Sequence, residues 1–183
     1  MSTATTKKTT WVIDPVHTTI EFAVKHMMVT TVRGRFGQVS GKIELDEEDL
    51  TRSSAEVTIP VASIDTREEQ RDAHLRSADF FDADNHPNMT FRTKNIERVG
   101  DDQFRVTGDL TIRGVTHEVV LDTRIEGRAK KPTGEEVIGL TASTTINRED
   151  FGLKWNVALE AGGWLVGKEV RISLDVQAIR QDG

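Results

Sequence analysis

The sequence predicts an all-β fold of about eight antiparallel strands, interrupted by one short helical insertion over about residues 67–85. Three observations predict it. Thr, Val and Ile make up 52 of the 183 residues (22, 18 and 12), and their branched Cβ suits a pleated surface. Apolar and polar residues alternate with a period of two in segment after segment, which gives each strand one dry and one wet face. The connections are short and rich in turn residues, as in Val99-Gly100-Asp101-Asp102 and Lys131-Pro132-Thr133-Gly134. A parallel sheet covered on both faces reads instead as unbroken apolar runs. Strands with single dry faces bury them together in a closed barrel or a two-layer sandwich.

The elements follow in chain order. Ile20, Phe22 and Val24 alternate with Glu21, Ala23 and Lys25. Val39, Gly41, Ile43 and Leu45 form the next dry face, and Ala55, Val57 and Ile59 the one after. Thr66 followed three residues later by Glu69 matches a capping box, so a helix is expected from Arg67, with Asp72 and Arg76 placed to pair one turn apart. Pro87 ends the helical insertion, and a short strand runs through Met89 and Phe91. Four longer strands follow. Their dry faces are Phe104, Val106, Gly108, Leu110 and Ile112; Val119, Leu121 and Ile125; Ile138, Leu140, Ala142 and Ile146; and Val170, Ile172, Leu174, Val176 and Ala178. Residues 1–10 read as a frayed polar leader, and residues 11–180 as a single domain.

Composition excludes several classes of function. The net charge of −6 disfavours binding to a nucleic-acid backbone or to an anionic membrane by bulk charge, and basic residues are not interleaved with aromatics. With no cysteine there is no disulfide framework, thiolate metal site or cysteine nucleophile. No apolar run approaches the roughly 20 residues of a membrane-spanning helix. The N-terminus has no apolar stretch after its lysines, so it does not read as a secretion signal and a cytoplasmic location is expected. The five histidines His17, His26, His74, His86 and His117 form no HExxH motif, and Asp72 and His74 splay apart on a helix. No metal site, cofactor or catalytic residue is expected.

The uncharged dry face is the first functional candidate. An eight-stranded barrel can be filled by its own side chains. Small residues at Gly37, Gly41, Ala55, Gly108, Ala142 and Ala178 either leave a channel or let larger neighbours fill it. Apolar residues in connections are the second candidate. Met27-Met28-Val29 reads as a greasy portal or core filler. The 155–166 stretch, with Trp155, Trp164 and a Gly-Gly pair, reads as a lid at a barrel mouth or as a segment packed on the barrel. Phe80 and Phe81 read as a plug at one end.

Several motifs together are similar to one known family. They are Trp11-Val12-Ile13-Asp14-Pro15-Val16-His17-Thr18, Lys25-His26, Arg33-Gly34-Arg35-Phe36 and Ser63-Ile64-Asp65-Thr66. The block from Arg71-Asp72-Ala73-His74-Leu75-Arg76 to Ser77-Ala78-Asp79-Phe80-Phe81-Asp82 is the most specific. Pro87-Asn88-Met89-Thr90-Phe91, Gly108-Asp109-Leu110-Thr111-Ile112-Arg113-Gly114 and Arg148-Glu149-Asp150-Phe151-Gly152 complete the set. The sequence resembles the YceI-like family, the polyisoprenoid-binding, lipocalin-like barrel proteins, over roughly residues 11–178.

The resemblance implies an extended antiparallel, lipocalin-like β-barrel around a long apolar cavity. The implied ligand is a polyisoprenoid chain, such as the tail of an isoprenoid quinone. Phe22, Val39, Ile43, Phe91, Phe104 and Leu110 are expected to line it, with Phe80, Phe81, Trp155 and Trp164 at its ends. Arg71 or His74 is the candidate for holding the head group. Many relatives are periplasmic, and a homodimer and transient membrane contact are further expectations. The leading reading is a carrier or storage protein for an isoprenoid lipid. The alternative is an enzyme acting on a small apolar substrate in the same cavity.

Overall fold

A computed structural model describes residues 7–160 and 162–181. In chain order the strands are β1 (Lys8–Ile13), β2 (Thr19–His26), β3 (Thr30–Phe36), β4 (Ser40–Asp46), β5 (Ser54–Pro60) and β6 (Ile64–Asp65). Helix α1 (Glu69–Arg76) comes next. It is followed by β7 (Asn88–Arg98), β8 (Gln103–Ile112), β9 (Val115–Lys130), β10 (Glu136–Asn147) and β11 (Val166–Arg180). Eight strands close a barrel in the order β1-β4-β5-β7-β8-β9-β10-β11, shut by the pairing of β1 with β11. Each ladder is antiparallel. Closure leaves the ring no open edge to template aggregation.

Strand β11 carries two partners along one edge. Strand β1 pairs with its residues 178–180 and β2 with residues 166–175. The chain turns between them at residues 14–18, where Asp14 accepts from the Val16 amide and Thr18 Oγ1 accepts from the Gln177 amide. From β2 the sheet continues through β3 to β6, forming a flap over one end of the ring. Helix α1 belongs to that end.

Register places the predicted dry faces together. Ile138 faces Ala178, Leu140 faces Val176 and Ala142 faces Leu174. Phe22 faces Ile172, and Val57, Phe91 and Leu110 run in one row across β5, β7 and β8. A shift of one residue would turn every one of these side chains to water. The buried core divides into two clusters. One holds Trp11, Ile43, Leu45, Ile138 and Ala178, and the other is built around Ile20, Phe36, Ile64, Phe80 and Phe151.

Three expectations are corrected. The leader does not extend to residue 10, because Lys8, Thr9 and Thr10 belong to β1. Thr9 is buried, accepts from Trp11 Nε1 at 2.8 Å and donates to Glu47 Oε2 at 3.0 Å, and this fixes the start of the barrel. Residues 1–6 of that leader lie outside the described residues. Thr66 does not cap the helix, which starts at Glu69 with the Glu68 carboxylate accepting from the Gln70 and Arg71 amides. The Thr66 hydroxyl is committed to the buried Asp72 instead, so Asp72 is unavailable to Arg76, which reaches Glu69 at 2.9 Å. Strand β3, absent from the alternation reading, lies in the flap. Its inward row includes Gly34, which weakens the apolar signal.

Candidate functional site

The inside of the barrel is hollow. One chamber, of about 170 Å³, lies under the flap and α1. A second, of about 140 Å³, lies towards the β1 and β4 end. Val57, Phe91, Leu121 and Leu174 border both, so the chambers meet end to end at a waist made by these four side chains. Several inward-facing apolar residues, among them Phe22, Val57, Phe91, Leu110 and Leu174, are only partly buried, because one face of each borders the void.

The chemistry of the walls is nearly uniform. Among the described residues no charged side chain borders the second chamber, and its polar lining residues are Ser53, Ser54, Thr93 and Thr123. Thr93 Oγ1 accepts from the Ala55 amide and Thr123 Oγ1 donates to the Leu121 carbonyl, so these hydroxyls already have backbone partners. The first chamber is apolar except for Thr144, Glu21 and Arg148. The small residues resolve as follows. A Cβ on Gly108 would overlap the Phe91 ring, and one on Gly41 would meet Ile13 Cδ1 at 2.7 Å. Those positions admit large neighbours, and the hollow comes from the width of the ring.

The predicted lining residues distribute along this axis. Phe22, Phe80, Phe81 and Leu110 border the first chamber, Ile43 and Phe104 the second, and Phe91 both. Val39 packs against the core cluster without bordering a chamber. Trp155 is half-buried outside the wall, in edge contact with His74 at 4.5 Å and tilted on Phe80 at 5.4 Å. Trp164 stands half-exposed on the loop before β11. The head-group candidates face elsewhere. Arg71 donates to Thr66 Oγ1 and to the Thr66 carbonyl, and the His74 ring bonds Asp79 Oδ2 at 2.8 Å. Both therefore order the segment around α1, and neither borders a chamber.

Arg148 is the residue that sequence reasoning passed over. It is 4% exposed, and its guanidinium is held by backbone carbonyls. It donates to the carbonyls of Leu153 at 2.6 Å, Gly167 at 2.8 Å and Val166 at 3.4 Å, and lies 5.8 Å over the Phe80 ring. Burial pulls its pKa below the ordinary arginine value. These bonds pin both ends of the 153–167 loop to the barrel. Asn156 assists, donating to the Val166 carbonyl and accepting from the Val166 amide. The sequence signal was the Arg148-Glu149-Asp150-Phe151-Gly152 motif. Its carbonyl partners carry no side-chain signature that a sequence displays.

Among the described residues no group of three or more His, Cys, Asp or Glu is arranged to hold a metal ion, and no helix is long and apolar enough to cross a membrane. The far end of the barrel is closed by the fully buried Trp11, with Arg128 lying 5.7 Å over its ring. Arg128 forms a two-pronged pair with Glu47 at 2.8 and 3.0 Å, and with Thr9 it holds that carboxyl below its ordinary pKa.

Comparison with known proteins places this geometry. The model of the YceI-like domain matches residues 11–178. A UPF0312 protein of Staphylococcus epidermidis is 44% identical over 165 residues, covering 90% of this chain and 94% of that one. The crystal structure of the Campylobacter jejuni YCEI protein superposes with a TM-score of 0.73 at 33% identity, covering 86% of this chain and 90% of that one. A polyisoprenoid binding domain from Saccharophagus degradans has the same fold, with a TM-score of 0.70 at 15% identity over 96% of this chain and all of that domain. The matched span covers nearly the whole barrel, from Trp11 within β1 to the inward Ala178 of β11, and on that evidence the chain belongs to the YceI-like family.

Proposed function

We propose that the protein binds a polyisoprenoid or isoprenoid-quinone lipid inside the barrel and acts as its carrier or store. The observation that carries the reading is the pair of apolar chambers joined end to end. An isoprenoid tail is long, methyl-branched and free of hydrogen-bonding groups, and a dry elongated hollow is its complement. Each buried CH₂ contributes about 0.8 kcal/mol, so a tail of several units binds firmly without a polar contact. Family membership and the likeness to the Saccharophagus polyisoprenoid binding domain support the same ligand class. Length and width then set the selectivity, with the head group left at the flap end. The walls are almost wholly apolar, which favours binding over catalysis.

The test is gentle purification from several hosts, followed by solvent extraction and mass spectrometry. Prenyl lipid at near one molecule per chain is the expected result. Phospholipid alone, or an empty barrel from each host, would overturn the reading.

A further inference from the structure

Strands β2 and β3 are joined by a four-residue turn in which the Val29 amide donates to the His26 carbonyl at 3.2 Å. Its central residues, Met27 and Met28, have φ of 51° and 63°. Both values are left-handed, a backbone conformation that Asn and Gly adopt at least cost. Methionine is costly at both positions, and neither is repaid by burial. Met28 is 64% exposed and Val29 77% exposed.

A second loop stands beside this tip. The Met27 amide donates to the Leu165 carbonyl at 2.8 Å, and Met28 Sδ lies where a Cβ on Gly163 would be. That loop presents Trp164, 49% exposed, and Val157, 45% exposed. The apolar tip adjoins the cavity. Val166 pairs with His26, and Val166 and Val24 both border the first chamber. Charge marks the same place. Residues 25–33 and 153–168 carry Lys25, Arg33, Lys154 and Lys168 against Glu160 alone, a net +3. The whole chain is −6, which leaves −9 for the remainder. Among the described residues Glu149 of a neighbouring element pairs with one of these bases, 3.9 Å from Lys168, and Glu21 of β2 and Glu169 of β11 lie just outside the two segments.

We propose that this tip docks on a bilayer containing anionic phospholipid, with Met27, Met28, Val29 and Trp164 entering the interface and the four bases meeting the head groups. An exposed apolar cluster with an interfacial tryptophan and a basic surround on an otherwise acidic molecule fits that surface. The acidic remainder turns the molecule so that only this end approaches. Docking brings the flap end of the cavity to the lipid phase. The proposal takes its purpose from the lipid-carrier reading but stands on its own geometry.

The experiment uses the full chain and vesicles of equal parts phosphatidylglycerol and phosphatidylcholine, which contain no isoprenoid. Flotation is read together with quenching of tryptophan by brominated acyl chains. Wild type is expected to float, to be quenched, and to lose binding in high salt or on pure phosphatidylcholine. The double variant Met27→Asn with Met28→Gly suits the turn, so it is expected to melt no lower than wild type yet bind at least ~10-fold more weakly. Replacing Lys25 and Lys168 by Gln is expected to weaken binding and flatten its salt dependence. Absence of wild-type flotation at low salt, or equal binding by the Asn-Gly variant, would overturn docking. Either result would leave the extraction experiment, and the cargo reading it tests, untouched.

Discussion

Phe91 is the side chain on which the two halves of the interior meet. It faces Leu110 across the β7–β8 ladder and its ring lies against Gly108. Truncation to alanine widens the waist. Phe91→Ala is expected to cost about 3 kcal/mol, the low end for a buried Phe because one face already borders a void. The variant is expected to retain bulkier prenyl species, checked by urea unfolding and by mass spectrometry of extracted lipid. Leu110→Asp does the opposite. It places an unpaired carboxylate in the first chamber, which is expected to abolish lipid retention and to destabilise the fold by several kcal/mol. Unchanged lipid content in Leu110→Asp would show that the tail does not pass this wall. At this scale the inward-facing row was legible, since Phe22, Phe91, Phe104 and Leu110, which border the chambers, were placed by alternation alone. Arg148, Arg71 and His74 were not, because what each bonds is set by tertiary folding: backbone carbonyls, a threonine, and one aspartate on a turn.

At the scale of elements, the barrel is cross-braced where β1, β4 and β9 converge. The Glu47 carboxylate, just past β4, takes hydrogen bonds from Arg128 of β9 and Thr9 of β1. Its pKa in the folded chain lies below the ordinary value, so the unfolded chain binds the proton more tightly. The brace therefore contributes fully above about pH 5 and is lost as pH falls through the lowered folded value. Glu47→Gln is expected to lower stability at neutral pH and to reduce the loss seen between neutral and acid solution. Urea midpoints measured across that range decide it, and parallel acid profiles for both proteins would refute the brace. Elements with strict alternation, such as β8, β10 and β11, were readable in sequence. Strand β3 was not, since Gly34 interrupts its apolar row. The true helix start was hidden because Thr66 bonds Asp72 in place of the helix amides.

Across the whole molecule, the sequence pattern identified dry-faced strands that must close on one another, but it left barrel and sandwich open and did not reveal whether the centre was filled. Both are properties of ring width, which depends on how many strands join and at what register. The ring has eight, sealed by β1 on β11, while the neighbouring stretch of β11 holds β2 and the flap. One long strand thus ties the closed end to the end that carries the methionine turn. The narrowing between the hollows has a consequence for binding stoichiometry. A prenyl alcohol short enough to fit either compartment encounters two separate sites of about 170 and 140 Å³. Calorimetric titration with such a guest is expected to saturate at two per chain, whereas a homologue long enough to thread past Phe91 saturates at one. The changeover length would measure, in isoprene units, the distance from the closed end to the constriction.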